Sequence, residues 1–297
     1  MKRKNSKPLI ITETIREVKD IKNEKNPPKL TSKDGHLTSY YIDLLAKFEP
    51  EELQYYAGLI DGDGAIGWNS ATSKTIRIQV SLTEEAAEPI IQLAEKLDLK
   101  LSLSKRTKLY EKETSANAKP IINVNIYKTK AWFFLFLIYP YLLEKKERGR
   151  EMLEGHFRDF LKCHDRRMHQ RQFSMPYLAG YSDAEGHFKY KYRHNQKSFM
   201  FNYVLNSTAI GHVDYIGEQL CRLGYNVRYG KVYKKNNRKP SKMITISNLP
   251  DLKKLYSQLI PFSKIKRKKR AMTMTQFYMD YLSPIYRKKE RQLNLIK

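Results

Sequence analysis

The chain has 297 residues and an ordinary 41% hydrophobic content, enough to bury one or two substantial cores and too much for disorder throughout. Its 56 Lys and Arg against 31 Asp and Glu leave a formal charge of +25, a field that favours a polyanionic partner, nucleic acid first. The one strongly apolar run, Trp132 to Ile138, falls far short of the roughly 20 residues of a membrane span, and the two cysteines, Cys163 and Cys221, make no disulfide framework and fit a reducing compartment.

The N-terminus, MKRKNSKPLIITETIREVKD, lacks the apolar stretch of a secretory signal and carries Glu13, Glu17 and Asp20, which transit peptides avoid. No cleavable address is expected. Residues 1–45 read as a basic arm, partly disordered, whose plain interpretation is a solvated tail. The abundance of Lys, Ile, Asn and Tyr fits an A+T-rich coding sequence, and with it synthesis in a mitochondrion or chloroplast.

Residues 46–160 form a first repeat. Strands are expected over Ala65 to Ser70 and Thr75 to Leu82, the second alternating Ile76, Ile78, Val80 and Leu82. A helix follows over Pro89 to Leu97, with Ile90, Leu93, Ala94 and Leu97 on one face and the proline in its first turn. Strands at Lys100 to Leu109 and Ile121 to Tyr127 precede helices at Thr129 to Ile138 and Lys145 to Phe160. Residues 161–174 are polar and aperiodic, a linker; Cys163, His164 and His169 within it match zinc spacing poorly.

Residues 175–297 repeat that order. Strands are expected near His187 to Tyr192 and Phe199 to Leu205, then a helix carrying Val213, Ile216, Leu220 and Leu223. Strands near Asn226 to Tyr233 and Met243 to Ser247 follow, then helices near Leu252 to Leu259 and Lys266 to Tyr281. Each half is helix, two strands, helix, two strands, helix.

Two pairs of segments show that the repetition is a duplication. QYYAGLIDGDGAIGW (Gln54 to Trp68) parallels PYLAGYSDAEGHFKY (Pro176 to Tyr190), and Tyr139-Pro140-Tyr141 parallels Ile260-Pro261-Phe262, each with a lysine five residues after the proline. Asp63 and Glu185 stand 122 positions apart (185 − 63), and Lys145 and Lys266 stand 121 apart (266 − 145).

In each motif two small residues four apart, Gly58 with Gly62 and Gly180 with Ala184, make a strip on one helix face that lets two backbones come close. If the helices pair about a pseudo-twofold axis, Asp63 and Glu185 emerge together at helix C-termini that already carry partial negative charge. Such a pair needs a cation, and a divalent metal shared with phosphate oxygens supplies one, which points to phosphodiester hydrolysis. The competing interpretation is that Asp63-Gly64 and Glu185-Gly186 merely end helices.

These segments resemble the signature of the LAGLIDADG homing endonucleases in their monomeric two-motif form, over about residues 46–285. The resemblance implies an α/β fold of two pseudo-symmetric αββαββα repeats, with saddle-shaped antiparallel sheets lying along the DNA major groove over a long asymmetric target. It implies a site-specific double-strand endonuclease that uses Mg²⁺ or Mn²⁺, with Asp63 and Glu185 as metal ligands and Gly62 and Ala184 beside them in the metal set. It also implies a basic residue near each scissile phosphate, here Lys145 and Lys266. Lys146 leaves the first register open by one, and Lys266, inside KIKRKKR, can equally serve as an ordinary phosphate contact. A polar residue that orders water near the end of the second strand corresponds to Asn206, whereas the first-half counterpart is expected at Leu82.

Polar residues at every second strand position suit a surface facing bases: Arg77, Gln79, Asn123 and Asn125, with Lys105 and Lys108, in the first half. Lys189, Lys191, Arg193, Arg228, Lys231 and Tyr233 complete the set in the second, with solvated sheet faces as the alternative. The expected partner is double-stranded DNA and the expected state a monomer, the paired helices being the dimer interface of one chain. Two other functions fit the same resemblance. One is a maturase binding intron RNA; the other is a non-enzymatic DNA-binding regulator, which would be expected to lose an acid and carry a helix-turn-helix appendage.

Overall fold

The computed structural model describes residues 46–69, 75–104, 120–154, 173–193, 198–234 and 239–282, together with Asp43. The chain divides into two compact units, Met1–Glu49 and Pro50–Lys297. The architecture below is that of the second. The expected arm, apart from Asp43, the linker from 161 to 172, and Lys105 and Lys108 lie outside the described residues.

The first half runs α1 (Pro50–Asp63), β1 (Gly64–Trp68), β2 (Ile76–Thr83), α2 (Glu88–Lys96), β3 (Leu101–Ser104), β4 (Ile121–Tyr127), α3 (Lys128–Ile138) and α4 (Lys146–Glu154). The second runs α5 (Met175–Glu185), β5 (Gly186–Arg193), β6 (Ser198–Ser207), α6 (Ile210–Arg222), β7 (Arg228–Tyr229), β8 (Lys242–Ile246), α7 (Leu249–Leu259) and α8 (Lys266–Phe277). Each half contributes one antiparallel four-stranded sheet, ordered β1-β2-β4-β3 and β5-β6-β8-β7. The expected mixed fold of two like repeats is what forms.

Period-two patterning decides which face of each sheet is covered. In β2, Ile76, Ile78, Val80 and Leu82 are buried while Arg77, Gln79, Ser81 and Thr83 stay partly open. Helix α2 lays Ile90, Leu93 and Ala94 inward, as its 3.6-residue period requires, with Pro89 in its first turn. The same logic in the second half buries Val213, Ile216 and Leu220 on α6. Leu223, expected on that face, falls after the last helical turn and is exposed.

The expected strand from Asn226 to Tyr233 is shorter than its residues suggested. Ladder pairing with β8 covers only Arg228 and Tyr229, and resumes at a single bridge between Tyr233 and Ser241. This is the sheet edge, where one neighbour alone holds the backbone.

The motif helices are different in kind, because α1 and α5 are buried almost all round, from Tyr55 to Asp61 and from Pro176 to Asp183. Pro50 and Pro176 occupy first-turn positions, and the Ser174 hydroxyl caps α5 by accepting from the Tyr177 amide at 3.3 Å. No helix among the described residues is long and apolar enough to cross a membrane.

Candidate active site

The two motif helices touch backbone to backbone. A Cβ placed on Gly58 would collide with the Tyr177 carbonyl and sit 2.8 Å from the Tyr181 nitrogen; one on Gly180 would collide with the Tyr55 carbonyl and sit 2.9 Å from the Leu59 nitrogen. One turn further on, a Cβ on Gly62 would run into that of Ala184 and lie 3.5 Å from Glu185 Cγ. Asp63 and Glu185, the last residues of α1 and α5, therefore leave their helices where the helices are still in contact.

Two further aspartates lock this arrangement, and neither was singled out by sequence reasoning. The buried Asp61 carboxylate accepts from the amides of Leu143, Glu144 and Lys145 at 2.7, 3.0 and 2.9 Å, and from the Tyr177 hydroxyl of the opposite motif at 2.7 Å. Asp183 mirrors it, accepting from the amides of Lys264 and Ile265 at 2.8 and 3.2 Å, the Ser263 hydroxyl at 2.8 Å and the Tyr55 hydroxyl at 2.7 Å. Each carboxylate thus holds the segment that leads into α4 or α8, where helix amides lack partners of their own. The available signal was an aspartate at the same place in both motifs, inside an otherwise apolar helix.

That capping carries a lysine to each half of the site. Lys145 Nζ donates to the carbonyl oxygens of Ile60, at 2.9 Å, and Asp61. Lys146, the alternative register, is buried against the Tyr139 ring. In the second half the expected residue does not arrive. Lys266 is 85% exposed and pairs with Glu88 at 3.0 Å, while Lys268 Nζ donates to the carbonyls of Ser182, Asp183 and Ala184 at 2.8, 2.6 and 3.3 Å. Two residues along a helix turn a side chain through about 200°, so only one of the pair can face α5.

The charges meet in a confined space. Asp63 opens to solvent, yet the surrounding protein raises its carboxyl above the usual range, against the pull of Lys268 and Lys145. Glu185 is half-buried; burial first, then the charges of Asp63 and Glu144, push it up to about 7. Burial likewise pulls Lys268 down to about 8, with Asp183 and Asp63 opposing. Glu144, also raised mainly by burial, accepts from the Tyr181 hydroxyl at 3.1 Å.

These donors suit a hard divalent cation. They are oxygens only, and among the described residues no group of three or more His, Cys, Asp or Glu forms a complete cage. Mg²⁺ binds in this way, through one or two carboxylates plus waters and substrate phosphates. A cation would also restore the ionised form that burial and mutual repulsion disfavour in Glu185. Of the small residues expected in the metal set, the Ala184 carbonyl already accepts from Lys268, and Gly62 lies at the helix contact.

The pairing of Asn206 with Leu82 is corrected by strand register. Gly64 pairs with Val80 and Gly186 with Leu205, so Asn206 corresponds to Ser81 and Leu82 to Ser207. A shift of one residue exchanges the faces of a strand. Asn206 therefore belongs to the open face with Ser81, and it is the buried Ser207 whose hydroxyl donates to Glu185, at 3.4 Å. Leu82, buried and apolar, offers Asp63 no such group.

The structure brings Arg77, Gln79, Asn123 and Asn125 together on the open face of the first sheet, where β2 and β4 pair Gln79 with Asn125 and Ser81 with Asn123. On the second sheet, Lys189 pairs with Asn202 and Arg228 with Thr245. Lys191 and Arg193 lie on β5, but their side chains are outside the described residues. Lys231 and Tyr233 sit exposed beyond the edge strand β7.

Residues 45–130 match the sequence model of the family described as homing endonuclease. No curated protein matches the chain. Among solved structures, the LAGLIDADG meganuclease I-AabMI bound to uncleaved DNA aligns with a TM-score of 0.53 and 13% identity, over 82% of this chain and 92% of that one. The homing endonuclease I-SmaMI bound to cleaved DNA gives 0.46 and 16%, over 83% and 95%, and I-LtrWI bound to target DNA gives 0.46 and 12%, over 78% and 92%. At these identities the likeness is one of fold, and I-AabMI is the comparison that carries it.

Proposed function

We propose that the chain is a homing endonuclease of the two-motif LAGLIDADG kind and that it cuts both strands of a long asymmetric DNA site, one phosphodiester per strand. The observation that carries this reading is the emergence of Asp63 and Glu185 together from helices packed on glycine, each at the start of a sheet, the first of which has a polar open face. A binding module alone has no need of two carboxylates set so close that the charge of Asp63 raises Glu185 in a +25 protein.

A divalent ion held by Asp63 and Glu185, Mg²⁺ or Mn²⁺, would supply Lewis-acid polarisation of the phosphate and a more acidic water. The remaining work falls to the chain's own groups. Lys145 and Lys268 neutralise the carbonyl ends of α1 and α5 and present positive charge where the phosphate becomes more negative. With Lys268 pulled down to about 8, its ammonium can also hold or release a proton near neutral pH. Ser207 orients Glu185, and the two sheets hold the duplex so that each strand passes one lysine.

The test is incubation of the protein and Mg²⁺ with a plasmid library of candidate insertion sequences. Linearised plasmid is the expected product. No cleavage by the wild type, or equal cleavage by the double variant Asp63→Asn, Glu185→Gln, would overturn the proposal.

A further inference from the structure

On the open face of the first sheet the polar side chains bond to each other, and the chemistry of one residue fixes the direction of every bond. Arginine can only donate. Arg77 Nε and Nη2 both donate to Asn125 Oδ1, at 3.3 and 3.0 Å, and Nη2 also donates to Gln79 Oε1. The amide orientations follow: Asn125 and Gln79 must turn their oxygens toward Arg77 and their NH₂ groups away. Gln79 Nε2 then donates to Ser81 Oγ at 3.3 Å, and Ser81, having accepted, passes its own proton to Asn123 Oδ1 at 2.5 Å. The Tyr127 ring, 5.8 Å from the guanidinium carbon, backs Arg77.

Two consequences bear on DNA. A bidentate asparagine–adenine contact needs the side-chain oxygen to accept from N6 while the nitrogen donates to N7. Both lone pairs of Asn125 Oδ1 are already occupied by Arg77, so only the donor half remains. Arg77 itself cannot make the usual two-pronged contact with guanine, because Nε and both Nη2 hydrogens are engaged within the protein. Among the described residues the second sheet shows no such device: Asn202 stands at the register position of Arg77, and its Oδ1 has no hydrogen-bond partner there.

We propose that Arg77 is a positioning residue that sets the hydrogen-bond polarity of the first sheet, so that Asn125 presents only donors and selects guanine, with its N7 and O6 acceptors, over adenine. This deepens the endonuclease reading and rests on it.

The test is selection from a DNA library randomised across the site, read by binding to the Asp63→Asn protein and by cleavage with the wild type. The base pair read by Asn125 is identified as the one whose preference Asn125→Ala abolishes. There the wild type favours guanine over adenine at least about tenfold. Arg77→Met frees the Asn125 oxygen and raises acceptance of adenine at that pair about tenfold, while preferences under the second sheet stay. Asn125→Asp keeps the acceptor that anchors Arg77 but replaces the donor with a second oxygen, and shifts the preference to cytosine, whose N4 donates.

Adenine selected by the wild type would overturn the proposal. So would an Arg77→Met protein that binds all sequences more weakly with unchanged preferences, or an Asn125→Asp protein that keeps guanine. Failure to select any sequence overturns the endonuclease reading instead, so the two failures are distinct.

Discussion

Lys268 stands against the end of α5 as Lys145 stands against the end of α1, each ammonium bonded to carbonyl oxygens of the last turn, although the duplicated sequence aligns Lys145 with Lys266. Lys145 reaches its place from the segment ahead of α4, Lys268 from the first turn of α8. Exchanging Lys268 for Met is expected to slow cutting of one strand by about 10²-fold, the scale for losing a charge-stabilising donor, so that nicked plasmid accumulates. Lys266→Met, at an exposed ion pair, should change either rate by no more than about threefold. Strand-resolved cleavage on a denaturing gel separates the two, and equal effects would refute the assignment.

What the sequence exposed was whatever depends on period and duplication. The alternation of β2 and the glycine strips fix the sheets and the helix contact, and the paired acids point to the proposed chemistry. The rest turned on directions that a pattern does not encode. KIKRKKR offers a lysine or arginine at six of its seven positions, and only the rotation of α8 selects Lys268 among them. Leu82 and Asn206 were compared one register apart because strand pairing, which decides the face, is set by tertiary contacts across β1–β2 and β5–β6. Asp61 and Asp183 sat unread because their partners lie about eighty residues further along the chain.

The acid pair should make the metal-free protein less stable as pH rises. Glu185, at about 7 in the folded state against 4.5 as its ordinary value, binds a proton more tightly when folded. Its contribution to stability is therefore full below about pH 4.5 and lost as pH rises through about 7. Melting curves in EDTA should show the wild type falling relative to Glu185→Gln across that window, by about 2 kcal/mol after allowance for partial exposure. Added Mg²⁺ should reverse the fall, because it binds the ionised form. A constant difference from pH 4 to 8 would refute the coupling.

Tyr177 tests the link between the halves. Its hydroxyl lies between Asp61 Oδ2 at 2.7 Å and His212 Nε2 at 2.9 Å, and since its one proton goes to Asp61, His212 must donate to it. Tyr177→Phe should cost about 1–3 kcal/mol, because it removes one donor from a buried carboxylate and leaves His212 without this acceptor. Tyr55→Phe removes the bond to Asp183 and a contact with the Lys264 amide, but that amide still has Asp183 as its acceptor, so the change should cost less. Chemical denaturation measures both, and a reversed order would contradict these proton directions.

The close approach of the two motif helices gives the sharpest stability prediction. Gly180 and Gly58 each face a carbonyl and an amide nitrogen of the opposite helix, neither of which is the end of a flexible side chain. An added methyl group therefore cannot be met by a rotamer change and must part the helices, as forced overpacking does elsewhere at about 1–3 kcal/mol or more. Parting them also moves the carboxylates of Asp63 and Glu185, which leave these same helices. Gly180→Ala should thus lower both the melting temperature and cleavage, and the activity loss should persist well below the melting transition, where the protein is still folded. Gly211 is the control, since a Cβ added there would meet nothing within 4 Å. Gly211→Ala should leave melting unchanged or slightly raised, as expected for a helix glycine with open space around it. If Gly180→Ala melts like the wild type and cuts at the wild-type rate, the glycine contact does not set the geometry of the acid pair.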